Sequence, residues 1–450
     1  MSRKRVLVFC LGIKSAIHFS LYDRALLESE FDIDYLVVTS PRKFKNYQAS
    51  VPSQFTQVES VWDPDSQTTF YTMLLCFRFF FAKGQRKHFS QWLRYFLFGN
   101  QNSIGNFRSF LIKLFRVAVF LFNHMSSLPL FWYSIIRFGS FPSKCVRVPV
   151  EDREQFFAVL DKACPEFVII QTTLCDLSTF NLINLLKQKN IASLVLVDSW
   201  DNIGSKPMIP KDIEKLLVQS PQQRSLALEV YGLQDSQISL FGTPRISRIR
   251  NVKSLRKHKV LNVGYLQAMP ADDLEFNIGI IHQLLNKLLL ELRTYDDFTI
   301  VIRAYPIKSF EKRMLIDGLL TSKFGNRVKI QSKFESMETL LSDSDLIVSE
   351  VTTAGIEAAC EGLRTVFIAT DSNRTYLNGR RALNSLHAHD LRDRGFRILE
   401  GKNVEVDYVS LKEVFQQYSM PNVEYFAFVS SYDTISERLI GEVETQLFSK

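Results

Sequence analysis

Short runs of branched aliphatic residues recur along the chain, with helical spacing between several of them. "RVLVFC", "DIDYLVVTS", "EFVIIQTT" and "ASLVLVDSW" are short β-branched runs that read as strands. "DREQFFAVLDKAC", just before Pro165, and "TFNLINLLKQKN" space their apolar residues as helices do. Strands alternating with helices predict βαβ units and a parallel sheet with helices on both faces.

A second series begins near Lys259. "KVLNVGYLQ", "DFTIVIRAYP", "RVKIQS", "DLIVSE" and "RTVFIAT" read as strands, "NIGIIHQLLNKLLLEL" as a long apolar helix and "ETLLSDS" as a short one. Between the series lies a basic, Gly- and Pro-punctuated stretch, "FGTPRISRIRNVKSLRKHK", which marks the domain boundary. A chain of 450 residues also exceeds one ordinary core. The expected organisation is α/β: an N-terminal Rossmann-like domain over 1–245, a second over 258–420, and a helical tail over 421–450 read from "VEYFAFVSSYDTISERLIGEVETQLF". Two such doubly wound domains would face a cleft at the carboxyl ends of their strands, where open α/β sheets bind ligands.

Charge changes the picture at one place. The net charge is +8, yet residues 66–150 hold eleven Lys and Arg and no Asp or Glu, so the remainder is net acidic. The same segment carries 21 of the 56 aromatic residues, which sets it apart as a basic, aromatic, mostly helical insertion in the first domain. In "SFLIKLFRVAVFLFN", Ser109, Lys113, Arg116 and Asn123 share one helix face and the other faces are apolar, the pattern of an interfacial anchor on an anionic membrane. Val117–Ile136 lacks Asp, Glu, Lys and Arg, but Asn123, His124, Ser126, Ser127 and Pro129 interrupt it, which favours lying on the bilayer over spanning it. A core with basic rims is the structural alternative. Nucleic acid is disfavoured, because the aromatics are mainly Phe contiguous with aliphatics and no RNA-binding motif occurs.

Other classes fall away. The six cysteines are scattered without a CxxC pair, as expected of reduced thiols in the cytoplasm. His387 and His389 have no carboxylate cluster near them, so no metal is expected. The apolar run from Val6 to Leu11 is short for a signal peptide and reads as a first strand. There is no P-loop, and "CLGIKSAIH" offers only Gly12 where a dinucleotide fingerprint would need three glycines.

The chemistry concentrates in "DLIVSEVTTAGIEAACEGLRTVFIAT". A strand tip carrying Ser349 and Glu350, a small-residue turn through Thr352 and Thr353, and a helix start at Gly355 make an anion site. There hydroxyls and backbone amides could hold a phosphate, and Glu357 could take ribose hydroxyls. An ordinary N-cap threonine is the bland alternative.

This stretch resembles the nucleotide-binding half of GT-B glycosyltransferases, whose pattern of glycine, glutamate–alanine, glycine and apolar strand is matched by Gly355, Glu357, Ala358, Gly362 and Val366–Ile368. Arg364 stands where that family has proline. "VIRAYP" resembles the arginine-x-histidine-proline strand end of bacterial surface-polymer transferases of capsule, lipopolysaccharide and teichoic-acid type. The resemblance implies that Arg303 meets the donor phosphate, with Tyr305 beside it in place of the histidine. "VDSWDNIGSKPMIP" and the following "LLVQSPQQRSLALEVYGLQDSQISLFGTPR" resemble surface-carbohydrate biosynthesis proteins. That likeness puts Asp198, Asp201, Asn202 and Lys206 just past a strand, at the cleft, with Gly242 in the turn before the second domain.

A carboxylate at a strand tip can accept the proton of an attacking hydroxyl. Asp201 is the first candidate for that general base. His18 is the second, since many GT-B enzymes have a histidine there. The expected activity is a metal- and cofactor-independent glycosyl transfer from a UDP- or CMP-linked sugar to a glycan or lipid-linked acceptor. The expected place is the cytoplasmic face of the cell membrane. A nucleotide-sugar 2-epimerase and an inactive GT-B scaffold are the alternatives. The paired-glutamate spacing of some retaining transferases is absent, which leaves the stereochemistry open.

Overall fold

The apolar runs form strands where their pattern puts them. In this computed structural model the described residues are 3–39, 53–59, 150–172, 177–200, 203, 213–229, 232–251, 260–267, 278–279, 282–284, 286, 297–303, 310–331, 335–370, 386–402, 405–406, 418–429 and 434–448. They divide into two units: Met1–Ser247 with Phe428–Lys450, and Arg248–Ala427.

The first unit is built on seven strands: β1 (Lys4–Leu11), β2 (Phe31–Thr39), β3 (Phe55–Glu59), β4 (Phe167–Thr172), β5 (Ala192–Val197), β6 (Lys215–Val218) and β7 (Ile238–Leu240). Their order is β3-β2-β1-β4-β5-β6-β7 with every pair parallel, so the direction of winding reverses between β1 and β4. β4 and β5 are buried at every position, and apart from Gln171, Thr172 and Ser193 their residues are apolar.

Helices cover both faces. On one, Val6, Val8, Cys10, Ile169, Leu194 and Leu196 pack with Ala16 and Phe19 of α1 (Ile13–Phe19) and Leu27 of α2 (Arg24–Glu30). On the other, Phe9 meets Phe156 of α3 (Val150–Ala163) edge-on, at 5.9 Å between ring centroids. Each fully buried aliphatic or aromatic side chain of this kind contributes about 1.5–3 kcal/mol. α4 (Leu177–Gln188) and α5 (Pro221–Glu229) complete the alternation.

The second unit repeats the plan with β8 (Val260–Leu266), β9 (Asp297–Arg303), β10 (Val328–Ile330), β11 (Leu346–Glu350), β12 (Arg364–Thr370), β13 (Arg397–Lys402) and β14 (Glu405–Val406). Their order is β10-β9-β8-β11-β12-β13-β14, and only β14 runs antiparallel. Here the reversal falls between β8 and β11. α6 (Phe310–Phe324) covers the face holding Val263, Tyr265, Ile300, Ile302 and Val348. α7 (Met337–Asp343) and α8 (Thr353–Cys360) cover the other, packing Leu340, Leu341 and Ala358 on Leu266 and Ile347. α9 (Leu386–Asp393) precedes β13.

The tail is shorter as helix than its composition predicts. Val423–Tyr425 is a single 3₁₀ turn, and the α-helix begins only at α10 (Ile435–Phe448). A capping box sets that start: Thr434 Oγ1 accepts from the Glu437 amide, and Glu437 Oε2 accepts from the Thr434 amide. Leu439 and Val443 of α10 join the core of the first unit, so this helix is part of the first domain's packing.

The basic aromatic segment, with Lys113 and Arg116, lies outside the described residues. So does most of the long apolar helix expected before β9. Among the described residues no helix is long and apolar enough to cross a membrane.

Candidate functional site

In the first unit, polar side chains gather at the carboxyl ends of β1, β4 and β5, beside the reversal of strand order. Asp198 follows β5 directly and its side chain is fully buried. Ser15, in α1, donates its hydroxyl to Asp198 Oδ2 at 2.5 Å, and Gln171 of β4 donates its amide to Oδ1. The Asp198 backbone amide donates to the Thr172 carbonyl at 3.1 Å, extending the β4–β5 ladder by one bond. A buried carboxylate held by two side-chain donors loses less on leaving water than a bare one would.

His18 completes the group. It is only 6% exposed, and its Nδ1 lies 4.0 Å from Asp198 Oδ1. Its Nε2 lies 2.6 Å from the Arg245 guanidinium. Arginine has donors only, so His18 Nε2 must accept, and a neutral ring then carries its proton on Nδ1, facing Asp198. The negative charge of Asp198 also adds to burial in raising the Cys10 thiol and the Tyr22 phenol well above their ordinary ranges.

In the second unit, strand register lines up Arg303, Leu266, Ser349 and Phe367 in one row across β9, β8, β11 and β12. Paired residues of parallel strands share a face, so Arg303 and Ser349 stand on the α8 side, two strands or roughly 10 Å apart. Arg303 Nη1 donates to Gln331 Oε1 at 2.6 Å and to the Glu335 carbonyl at 3.2 Å. Gln331 in turn donates to the Ser336 carbonyl at 2.8 Å, which ties the arginine to the turn before α7.

The opening of α8 is locally determined. Thr352 is its N-cap, with Oγ1 accepting from the Gly355 amide at 3.3 Å. Fully buried Ser349 donates to the Glu350 carbonyl at 2.5 Å and shares a hydrogen bond with Thr352 Oγ1 at 3.0 Å. Gly355 is set by packing. A Cβ there would stand 2.5 Å from Phe367 Cε1 and 2.7 Å from Ser349 Oγ, so the glycine lets the helix close onto the sheet.

Several expected residues therefore come together and others do not. Ser349, Thr352, Thr353 and Gly355 sit at the tip of β11 and the start of α8, with Glu357 one turn on and Arg303 on the same face. Glu350 points to the opposite face, where it is 6% exposed and accepts from the Tyr265 hydroxyl at 2.9 Å. Gly242, expected in the turn before the second domain, has φ +99° and faces the Phe428 carbonyl, 2.6 Å from where its Cβ would be. There it admits the segment that returns from the second unit. Asp201, Asn202, Lys206 and Tyr305 lie outside the described residues.

Ser15, Gln171, Arg245 and Gln331 were not expected from sequence. Only Gln171 and Gln331 carried a signal, that of position: Gln171 is the penultimate residue of β4 and Gln331 follows β10, where an apolar run turns polar. Among the described residues no cluster of His, Cys, Asp and Glu could hold a metal.

No protein-family model matches the sequence, and no curated protein matches it. Among solved structures the chain is similar to the S. aureus MnaA–UDP co-structure, with 11% identity, 99% of this chain and 97% of that chain covered, and a TM-score of 0.51. It is also similar to a proposed UDP-N-acetylglucosamine 2-epimerase from Listeria monocytogenes, with 8% identity, 100% and 98% covered, and a TM-score of 0.52. MurG of Acinetobacter baumannii aligns at 9% identity over 98% and 99%, with a TM-score of 0.49. At such identities the likeness establishes the fold. The chain consists of two Rossmann-like α/β domains, the pair that makes up a GT-B protein.

Proposed function

We propose that this protein is a glycosyltransferase that moves a sugar from a nucleotide-activated donor to a surface-polysaccharide or lipid-linked acceptor, without a metal. The observation that carries this reading is the start of α8. It places Thr352 and Thr353 at the tip of β11, immediately beside the reversal of strand order in the second sheet. Ligands of open α/β sheets bind at that point, and the first-turn amides and helix dipole favour a phosphate there. Glu357, one turn on, takes ribose hydroxyls, and Arg303 adds a cation on the same face of the sheet.

In the reaction the acceptor hydroxyl gives its proton to a base and its oxygen bonds the sugar carbon. The sugar–phosphate bond breaks, and the nucleotide leaves with the electron pair. His18, oriented by Asp198, is one candidate base, and Asp201 is the other. The nucleotide is UDP or CMP by the same reading, and the basic aromatic segment holds the protein at an anionic membrane face.

The second reading is a nucleotide-sugar 2-epimerase. It is favoured by the fold of the proposed epimerase from Listeria monocytogenes. A thermal-shift panel of UDP, CMP, CDP and GDP comes first: a nucleotide at about a hundred times its Kd adds about 2.7 kcal/mol of stability. Glu357→Ala should weaken the bound nucleotide by roughly tenfold, about 1.4 kcal/mol, with unchanged unfolding. The sugar conjugate of that nucleotide then separates the readings. A transferase releases free nucleotide and extends an acceptor, whereas an epimerase inverts the sugar with no acceptor present. An inactive scaffold binds and does neither. Failure of every nucleotide to stabilise the protein would overturn the reading.

A further inference from the structure

The basic aromatic segment 66–150 is rooted at the edge of the first sheet that also carries His18 and Asp198. β3 runs parallel to β2 and β1, so its last residue, Glu59, stands at the carboxyl edge, two strands or roughly 10 Å from the end of β1. At the other end of the segment, Val150 opens α3. Only Cys164–Glu166 separate the last turn of α3 from the start of β4, so α3 runs antiparallel to the strands. Its 14 residues span about 21 Å, close to the length of β4, which brings Val150 back to the carboxyl edge. From Glu59 to Ser66 the chain can reach at most about 25 Å. Both ends of the segment are therefore tethered at one edge.

The helix that leaves this edge is apolar where water would favour polar residues. α1 begins after Gly12, one residue past β1, and contains no acidic residue. Ala16, His18 and Phe19 are buried, whereas Ile17 is 37% and Leu21 50% exposed. Leu21 stands one turn beyond Ile17, its amide donating to the His18 carbonyl at 3.2 Å. Single exposed aliphatics are ordinary. These two flank His18, on the edge from which the basic segment departs.

We propose that the first unit docks on an anionic bilayer at the corner where α1 meets the carboxyl edge, with Ile17 and Leu21 entering the interface, and that its acceptor is carried on a lipid of that bilayer. The lysines and arginines of the segment attract anionic headgroups, and the aliphatic pair enters the boundary with the acyl chains, about 5–10 Å deep. His18 is then held at headgroup level. A hydroxyl on a sugar joined directly to a lipid lies at that level, whereas the free end of a long glycan extends away from it. The docking rests on the rooted segment and the exposed pair; the acceptor class rests in addition on the transferase reading.

Hydroxyl-radical footprinting of the full-length protein, read by peptide mass spectrometry with and without phosphatidylglycerol vesicles at low salt, tests the docking. Oxidation of Ile17 and Leu21 should fall several-fold on the vesicles. Alkylation of Cys164 by iodoacetamide should keep its rate, because that exposed thiol lies at the opposite, amino edge, just before β4. Ile17→Ser/Leu21→Ser should weaken vesicle binding roughly tenfold, with circular dichroism verifying the fold. Unchanged oxidation of Ile17 and Leu21 in protein that sediments with the vesicles would overturn the docking, as would shielding of Cys164 in their place. Failure to sediment would overturn it together with the membrane proposal. For the acceptor, native cell membranes are incubated with the protein and the radiolabelled sugar conjugate of the stabilising nucleotide. Label should pass into lipid that organic solvent extracts, and label confined to water-soluble glycan would overturn the lipid-linked acceptor. If no nucleotide stabilises the protein but the footprint is as expected, the docking stands and the transferase reading falls.

Discussion

The Ser15 hydroxyl donates to Asp198 Oδ2 at 2.5 Å, joining residues 183 positions apart. The bond ties α1 to the end of β5, and with Gln171 it fixes the carboxylate that faces His18. Asp198→Ala leaves two buried donors without their acceptor and should cost about 2–4 kcal/mol of stability. Ser15→Ala should cost less, about 1–2 kcal/mol, because one donor is then lost from a carboxylate that keeps another. Urea titrations of both single variants and the double variant check this. The double should cost clearly less than the sum, and strict additivity would show that the two side chains do not support each other.

Gly355→Ala tests the seat of α8. The added methyl meets Phe367 and Ser349 well inside contact distance, so the helix or the ring must shift. The expected loss is about 1–3 kcal/mol in a urea titration. Nucleotide affinity should fall with it, since the first turn of α8 moves away from the strand tip. A neutral substitution would mean that the helix is seated more loosely than these distances imply.

Burial also governs the thiols. It pushes the Cys360 thiol up to about 12 from an ordinary 9.0, and the charges of Glu357 and Glu361 add to the rise. A raised folded-state value favours the protonated, folded form. Its stabilising contribution is complete below pH 9, where the unfolded thiol is still protonated, and is lost as pH rises toward 12. The stability advantage of wild type over Cys360→Ser, followed by urea titration from neutrality to about pH 10, should therefore shrink above pH 9. Alkylation gives a second readout. Exposed Cys164 should react with iodoacetamide in the native protein, and buried Cys10 and Cys360 only on unfolding.

The membrane proposal rests on the segment 66–150, with eleven basic and no acidic residues. Sedimentation with phosphatidylglycerol vesicles should carry the protein down at low salt. High salt should release only part of it, because screening removes the electrostatic attraction and leaves apolar insertion. Lys113→Glu/Arg116→Glu should lower vesicle binding while leaving nucleotide affinity unchanged. No sedimentation of wild type at low salt would return the segment to a core with basic rims.

What the sequence determined by itself was the kind and place of most elements. β1, β2, β4, β5, β8, β9, β11 and β12 fall on the apolar runs, because burial on both faces concentrates branched aliphatic residues in them. The short strands β3, β6 and β7 carry too few apolar residues to stand out, and they form because a neighbouring edge supplies their hydrogen bonds. The helix start at Ile435 was written in Thr434 and Glu437, yet the apolar residues before it obscured the signal.

The site divides in the same way. The hydroxyl-rich start of α8 was legible because an N-cap is made by neighbours in sequence. That Glu350 turns away to Tyr265, and that Gly355 serves helix–sheet packing, depended on strand parity and on Phe367, which no local reading supplies. The group formed by Ser15, Gln171, Asp198, His18 and Arg245 gathers residues from four separate stretches. Strand order brought them together, and strand order is set by how helices cover a sheet, which only the folded chain decides.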